Sequence, residues 1–179
     1  QKFQKDTLMQ FDHMEDTLNA FRSFLRPDTK KELFSIKECC QNVMLLIKDE
    51  LLHNQIYITL NIKEDFTIYG VKNEFKHLVL NILSNSKDAF LQKSSEDKII
   101  TVEIYTDNNS GVLKISDTAG GIPAAILPNI FKANITSKPT GTGMGMYMSK
   151  KIAKKHGGDL SVQNSDAGAV FTFEKNLST

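Results

Sequence analysis

Cysteine is scarce in this chain: among 179 residues only Cys39 and Cys40 occur, and they are neighbours. Adjacent residues on a helix point about 100° apart and rarely bridge, and two cysteines are too few for a stapled scaffold or a thiolate metal cluster. Two reduced thiols suit a cytoplasmic address. The histidines His13, His53, His77 and His156 show no HxxxH spacing and no CxxC accompanies them, so no structural zinc is expected. No run approaches the ~18 consecutive apolar residues of a membrane span, and no secretory apolar region is present, which predicts a soluble chain. An excess of one charge is lacking too. Lys and Arg number 22 against 21 Asp and Glu, a net charge of +1, so bulk charge argues for neither a nucleic acid nor a membrane surface as partner. What is present, 40% apolar and 24% charged residues, is the composition of one globular domain with at most a short appendage. Gln1 stands where a full-length chain would have Met, so a fragment is expected.

Residues 4–26 read as one helix. Phe11, Met14, Leu18, Phe21 and Leu25 recur at spacings of 3, 4, 3 and 4, a two-heptad seam that Pro27 ends. The seam is too narrow for a globular core, so a dimerisation or bundle helix is favoured over a helix packed on its own domain. Beyond Lys30, strand and helix signals alternate. Strands are predicted at 33–36, 56–62, 66–69, 99–105, 112–117, 159–164 and 169–174, and helices at 37–54, 73–92 and 144–156. Residues 118–143 read as a long loop, and Gly157-Gly158 stops the last helix. Val102 and Ile104 alternate with Glu103, and Leu113 and Ile115 with Lys114. That pattern means one buried and one wet face, an antiparallel or mixed sheet with helices on one side. The predicted fold is therefore an α/β two-layer sandwich, and doubly wound parallel architectures are disfavoured.

Three stretches could carry chemistry. On the helix 73–92, Phe75, Leu78, Val79, Ile82, Leu83 and Phe90 form an apolar stripe. Glu74, His77, Asn81, Asn85 and Asp88 fall on a second stripe. Asn is a poor helix former. Two of them at i and i+4 beside an acid suggest oxygens aimed at a hard cation or its waters, against the plain alternative of a solvated face. Asp117-Thr118-Ala119-Gly120-Gly121-Ile122 ends a strand. It could present a carboxylate to a ligand amino group while the backbone approaches a flat ring, or be an ordinary turn. Gly141-Thr142-Gly143-Met144-Gly145-Met146 opens a helix with bare backbone N–H groups suited to phosphate, or forms a glycine hinge. It matches neither GxxxxGK[ST] nor GxGxxG. Lys138 lies three residues upstream of Gly141 and could add a cation over the phosphates.

Taken together and in this order, the stretches resemble the boxes of the GHKL ATP-binding superfamily. NILSNSKDAF (81–90) resembles the N box, DTAGGI (117–122) the G1 box, IFKANITSK (130–138) the F box and GTGMGM (141–146) the G2 box, followed by KKHGG (154–158). Within the superfamily the chain is most similar to the catalytic domain of two-component sensor histidine kinases. NAFRSFLRP (19–27) resembles the second helix of the preceding dimerisation and phosphotransfer domain. The resemblance divides the chain into 1–27, part of that domain, and 28–179, the ATP-binding catalytic domain.

The resemblance implies roles residue by residue. Asn85 would ligate Mg²⁺, Asn81 would orient phosphate or metal, and Asp88 would join them in binding the nucleotide. Asp117 would bind the adenine amino group, with Ala119, Gly121 and Ile122 passing beneath the base. Gly141, Gly143 and Gly145, with Met144 and Met146, would form the lid hinge and the phosphate-facing helix start, and Lys138 and Thr142 would bind the nucleotide beside them. Asn81, Asn85 and Lys138 are the candidate catalytic residues and Asn85 the metal ligand. Superfamily ATPases carry a Glu four residues before the metal Asn to activate water; here that place is Asn81, which cannot act as a general base. The implied activity is transfer of the ATP γ-phosphoryl group to a histidine, for relay to a response regulator. The implied partners are ATP, a phosphoacceptor helix of its own or a partner subunit, the response regulator, and a second copy in a full-length homodimer; the full-length parent could be anchored in an inner membrane. A GHKL-type ATPase and a non-catalytic nucleotide-binding or dimerisation module are the alternatives. Several positions depart from the pattern. Ala119 replaces the first G1 glycine, Asn134 and Ile135 stand where F-box aromatics are common, and Gly168-Ala169-Val170-Phe171 lacks a frequent hydroxyl residue. There is no HExxxP-like acceptor motif; His13 reads as a surface or bundle-edge residue and His156 as a helix C-terminal one.

Overall fold

The computed structural model describes residues 29–93, 97–135 and 143–178. The helix expected over 4–26, with His13, lies outside the described residues, as does the division at residue 27. The elements run β1 (Glu32–Ser35), α1 (Ile36–His53), β2 (Tyr57–Ile62), β3 (Thr67–Gly70), α2 (Lys72–Gln92), β4 (Ile99–Asp107), β5 (Ser110–Asp117), α3 (Gly145–Lys155), β6 (Asp159–Asn164) and β7 (Ala169–Asn176). A 3-10 turn, Leu127–Asn129, sits in the stretch read from sequence as loop.

Local chemistry explains the boundaries. Ser35 caps α1, its Oγ accepting from the Glu38 N–H at 3.0 Å. Asp65, thirty residues on, secures the same helix start by accepting from the Lys37 N–H at 2.9 Å and the Ser35 hydroxyl at 2.6 Å. Asn108 and Asn109, both with positive φ (44° and 67°), make the two-residue turn between β4 and β5. Gly157, at φ 77°, ends α3: its N–H donates to Lys154 O, and the Gly158 N–H donates to Ala153 O. These are the paired bonds of a Schellman stop.

Five strands form one mixed sheet in the order β2-β4-β5-β7-β6, parallel only between β2 and β4. β1 and β3 pair separately as a two-stranded ribbon. The strands flanking Lys63-Glu64-Asp65, adjacent in sequence, therefore do not pair with each other. Ile100, Val102 and Ile104 of β4, Leu113 and Ile115 of β5, and Phe171 and Phe173 of β7 are buried, as are Phe75, Leu78, Val79, Ile82, Leu83 and Phe90 of α2. The opposite face carries charge, with Lys114 and Glu103 paired at 2.9 Å across neighbouring strands. This is the two-layer α/β sandwich expected from the alternation. Each large apolar side chain moved from water into such a core contributes about 1.5–3 kcal/mol.

His156 is more than a helix-terminal residue. It is buried, its Nδ1 lies 2.8 Å from Ile152 O, and its Nε2 accepts from the Val71 N–H at 3.1 Å. One ring thus joins the C-terminus of α3 to the start of α2, packed edge-on against Phe75 at 5.7 Å. Gly70 makes room for it, since a Cβ there would collide with the imidazole.

Candidate functional site

Between α2, the end of β5, the start of α3 and β7 lies a cavity of about 390 Å³. It is large enough for a nucleoside-sized ligand. Each stretch singled out in the sequence contributes to its wall. Asn81 and Asn85 come from α2, Asp117, Ala119, Gly121 and Ile122 from the end of β5, and Gly143, Gly145 and Met146 from the start of α3. Asp88 and Met144 do not line it. Asp88 is on the same helix, 3.8 Å from Lys87 Nζ, and Met144 is the residue preceding α3. Lys138, Gly141 and Thr142 lie outside the described residues.

Asp117 is the centre of one end. It is buried, 6% exposed, as the last residue of β5. Its Oδ1 accepts from the N–H groups of Ala119 at 3.0 Å and Ala169 at 3.2 Å. Its Oδ2 accepts from the Ser86 hydroxyl at 2.8 Å. A carboxylate offers about four acceptor directions, and three are filled, so one remains for a donor in the cavity. Gly168 belongs to the same cradle: a Cβ there would collide with the Asp117 carbonyl and come within 2.5 Å of Oδ1.

At the other end, α3 starts at Gly145 with no side-chain cap. The first N–H groups of a helix have no intrahelical acceptor, and this is where an anion is best held. Asn81 fixes that helix start, its Nδ2 donating to Gly145 O at 3.2 Å and Ser149 Oγ at 3.1 Å. Gly143 precedes it at φ 67°, and a Cβ there would sit 2.6 Å from Ile135 N and the Asn134 carbonyl carbon. The glycine is needed for conformation and for space.

Sequence reasoning missed part of the wall. Ser86 was legible in principle, because it falls in line with Ile82 and Phe90 on the buried stripe, where a hydroxyl demands a partner. Ile126, Ile130 and Ile135 line the cavity with apolar side chains, as do Phe171 and Ala169 of β7, and Lys93, which follows α2, lines it as well. The isoleucines come from an irregular loop and Ala169 and Phe171 from a distant strand; the sequence marked the stretches 130–138 and 168–171, but nothing local says that they share one wall.

The residues fit an adenine nucleotide. Apolar wall residues beside the buried Asp117 carboxylate suit a purine with an amino group, and a helix start without a side-chain cap suits phosphates. They fit magnesium in a limited way. Among the described residues no group of three or more His, Cys, Asp or Glu could cage an ion. The carboxamide of Asn85 is a hard oxygen ligand of the kind that holds Mg²⁺ together with phosphates and waters.

The fold and the cavity define a nucleotide-binding catalytic domain of the GHKL type. Residues 70–179 match the family of histidine kinase-, DNA gyrase B-, and HSP90-like ATPases, HATPase_c, and the chain belongs to it. Among curated relatives, the sensor protein FixL of Bradyrhizobium diazoefficiens is 30% identical over 101 residues, 56% of this chain and 20% of FixL. Sporulation kinase C of Bacillus subtilis is 27% identical over 141 residues, 78% of this chain and 32% of that protein. Among solved structures, a nucleotide-free form of the catalytic domain of histidine kinase ThkA matches with a TM-score of 0.71 at 21% identity, covering 82% of this chain and 97% of that one. Full-length ShkA in complex with AMPPNP matches with a TM-score of 0.69 at 18% identity, covering 92% of this chain and 36% of that one. Within its family, then, the chain is an ATP-binding catalytic domain of the sensor histidine kinase type. It spans about a fifth to a third of the length of those curated relatives. No helix among the described residues is long and apolar enough to cross a membrane.

Proposed function

We propose that this domain binds ATP with Mg²⁺ and transfers the γ-phosphoryl group to a histidine on a phosphoacceptor helix of its own or a partner subunit, for relay to a response regulator. The observation that carries the proposal is the set of acids in the cavity. Asp117 is the one carboxylate among the described lining residues, and its oxygens are engaged by Ser86, Ala119 and Ala169. Asn81, at the place where a water-activating acid would stand, is neutral and bonded to α3. A site without a general base is poor at deprotonating water, whereas a neutral imidazole nitrogen attacks phosphorus without losing a proton first.

The side chains divide the work. Asp117 accepts a hydrogen bond from the adenine amino group, and Ile122 and Gly121 flank the base. Asn81 holds the start of α3 so that its N–H groups face the phosphates. Asn85 offers its carboxamide oxygen to Mg²⁺, with Lys138 and the Gly141–Met146 stretch completing the phosphate end. Magnesium, when bound, would neutralise charge on the phosphoryl oxygens. Because ATP is the donor, the domain works on the cytoplasmic side of any membrane that anchors its parent, and dimerisation would bring an acceptor helix to the site.

The test is incubation with γ-labelled ATP and a supplied acceptor helix. Acid-labile, base-stable label on an acceptor histidine is expected, and Asn85→Ala should abolish it while the fold persists by circular dichroism. Steady-state phosphate release with no labelled acceptor would refute the proposal in favour of a hydrolase.

A further inference from the structure

The turn that leaves β5 after Asp117 is tied down by three neighbours. The Gly120 N–H donates to Ala167 O at 2.9 Å, and Lys93 Nζ donates to Gly121 O at 2.8 Å. Asn164, the last residue of β6, makes two bonds to one backbone unit. Its Oδ1 accepts from the Ile122 N–H at 2.8 Å, and its Nδ2 donates to Ile122 O at 2.8 Å. A single side-chain amide here reproduces the two-way bonding that one strand makes with its neighbour. Ile122 lines the cavity and Asn164 does not, so any effect of Asn164 on a ligand passes through Ile122.

Gly121 takes part in the same arrangement. Its φ is 79°, and a Cβ at this position would lie 2.9 Å from both Cγ and Oδ1 of Asn164. The room left by the missing side chain is filled by the Asn164 carboxamide. From the sequence, Gly121 reads as the residue that lets the backbone approach the base. In the structure it also admits the clamp that shapes the turn.

We infer that Asn164 is a positioning residue of the nucleotide site: it holds the 120–122 turn in its ligand-ready shape before nucleotide arrives, and Gly121 is glycine partly to admit it. The inference rests on reading the cavity as the ATP site. Its chemistry restricts the alternatives. Aspartate would set a charged oxygen against the Ile122 carbonyl, and serine carries one short polar group where two are needed.

The experiment compares wild-type protein with Asn164→Ala, Asn164→Asp, Gly121→Ala and the Gly121→Ala/Asn164→Ala pair. Without nucleotide, the Ile122 amide should be protected from hydrogen exchange in wild type and exchange rapidly in Asn164→Ala, with little change in melting midpoint. In urea unfolding, Gly121→Ala should be less disruptive when Asn164 is already Ala, because the clash is gone. In calorimetry, Asn164→Ala and Asn164→Asp should each weaken Mg-ATP and ADP by the same factor, about tenfold, since the base end is altered and the phosphate end is not. A general loss of folding would instead lower the melting midpoint and deprotect the core amides. Unchanged Ile122 exchange, additive effects of the two substitutions, or nucleotide affinities within twofold of wild type would each overturn the inference. Wild-type protein that binds no adenine nucleotide would overturn the proposed function; the exchange and coupling measurements need no nucleotide and judge the clamp separately.

Discussion

Replacing Asp117 by Asn exchanges one oxygen for an NH₂ group and little else. Oδ1 receives two backbone N–H groups, from Ala119 and Ala169, so the carboxamide oxygen will take that side. The NH₂ group then stands where Oδ2 accepted from the Ser86 hydroxyl. That hydroxyl can turn and accept instead, so all three protein contacts survive. The cost to folding should be about 1 kcal/mol or less. The ligand fares differently. The adenine amino group loses a hydrogen bond to a charged acceptor, about 1.5–3 kcal/mol, and meets a donor in its place, a further ~1–3 kcal/mol for a buried group left unpaired. The sum, roughly 2.5–6 kcal/mol, corresponds to about 10²–10⁴-fold weaker ATP binding. Guanine presents a carbonyl oxygen at that edge, so the preference for ATP over GTP should narrow. Calorimetry with Mg-ATP and Mg-GTP, beside a melting curve for each protein, reads both effects. Asp117→Asn protein that stays folded and binds ATP within threefold of wild type would refute the assignment of Asp117 to the base.

Two further predictions concern the scaffold. Burial pushes the Cys39 thiol up to about 12, only partly opposed by Lys76 and Lys72, and burial likewise raises Cys40. The folded state then keeps thiol protons that the unfolded chain releases above its ordinary value near pH 8.5. Stability is unaffected by these groups below that pH and falls as pH rises above it, by about 1.4 kcal/mol per unit for each thiol, the Cys39 contribution levelling off near about 12. Urea midpoints from pH 8 to 10.5, compared with a Cys39→Ala/Cys40→Ala variant, should show the difference in slope, and native protein should resist thiol reagents that label the unfolded chain. For the buried imidazole, His156→Ala removes the bonds to Ile152 and Val71 and the contacts with Phe34 and Phe75. A loss of about 3 kcal/mol is expected in urea unfolding, with ATP affinity retained while the protein is folded.

Much of the architecture could be read locally, because the signals are periodic. The buried apolar residues of α2 are the ones that 3.6-residue spacing places on one stripe, and the alternation in β4 and β5 announces a sheet with one dry face. The Gly157-Gly158 stop and the Asn108-Asn109 turn are likewise local, since φ preference and hydrogen bonding over a few residues decide them. Strand partnership was not local. β2 passes over its sequence neighbour β3 to pair in parallel with β4, and β3 turns to β1. Each choice depends on which surfaces are buried once the whole chain has collapsed.

The site divides along the same line. The residue types at positions 81, 85, 117 and 121, and the glycines at 143 and 145, were determined by sequence alone, because carboxamides, a strand-end acid and bare helix starts carry their chemistry wherever they are set. Tertiary structure decided what each is bonded to: Ser86 and Ala169 on Asp117, Asn81 on the start of α3, Asn164 on Ile122. Those partners lie 31 to 64 residues apart in the chain. A hydrogen bond acts over about 3 Å, so no pattern along the sequence can register it until folding brings its two ends together.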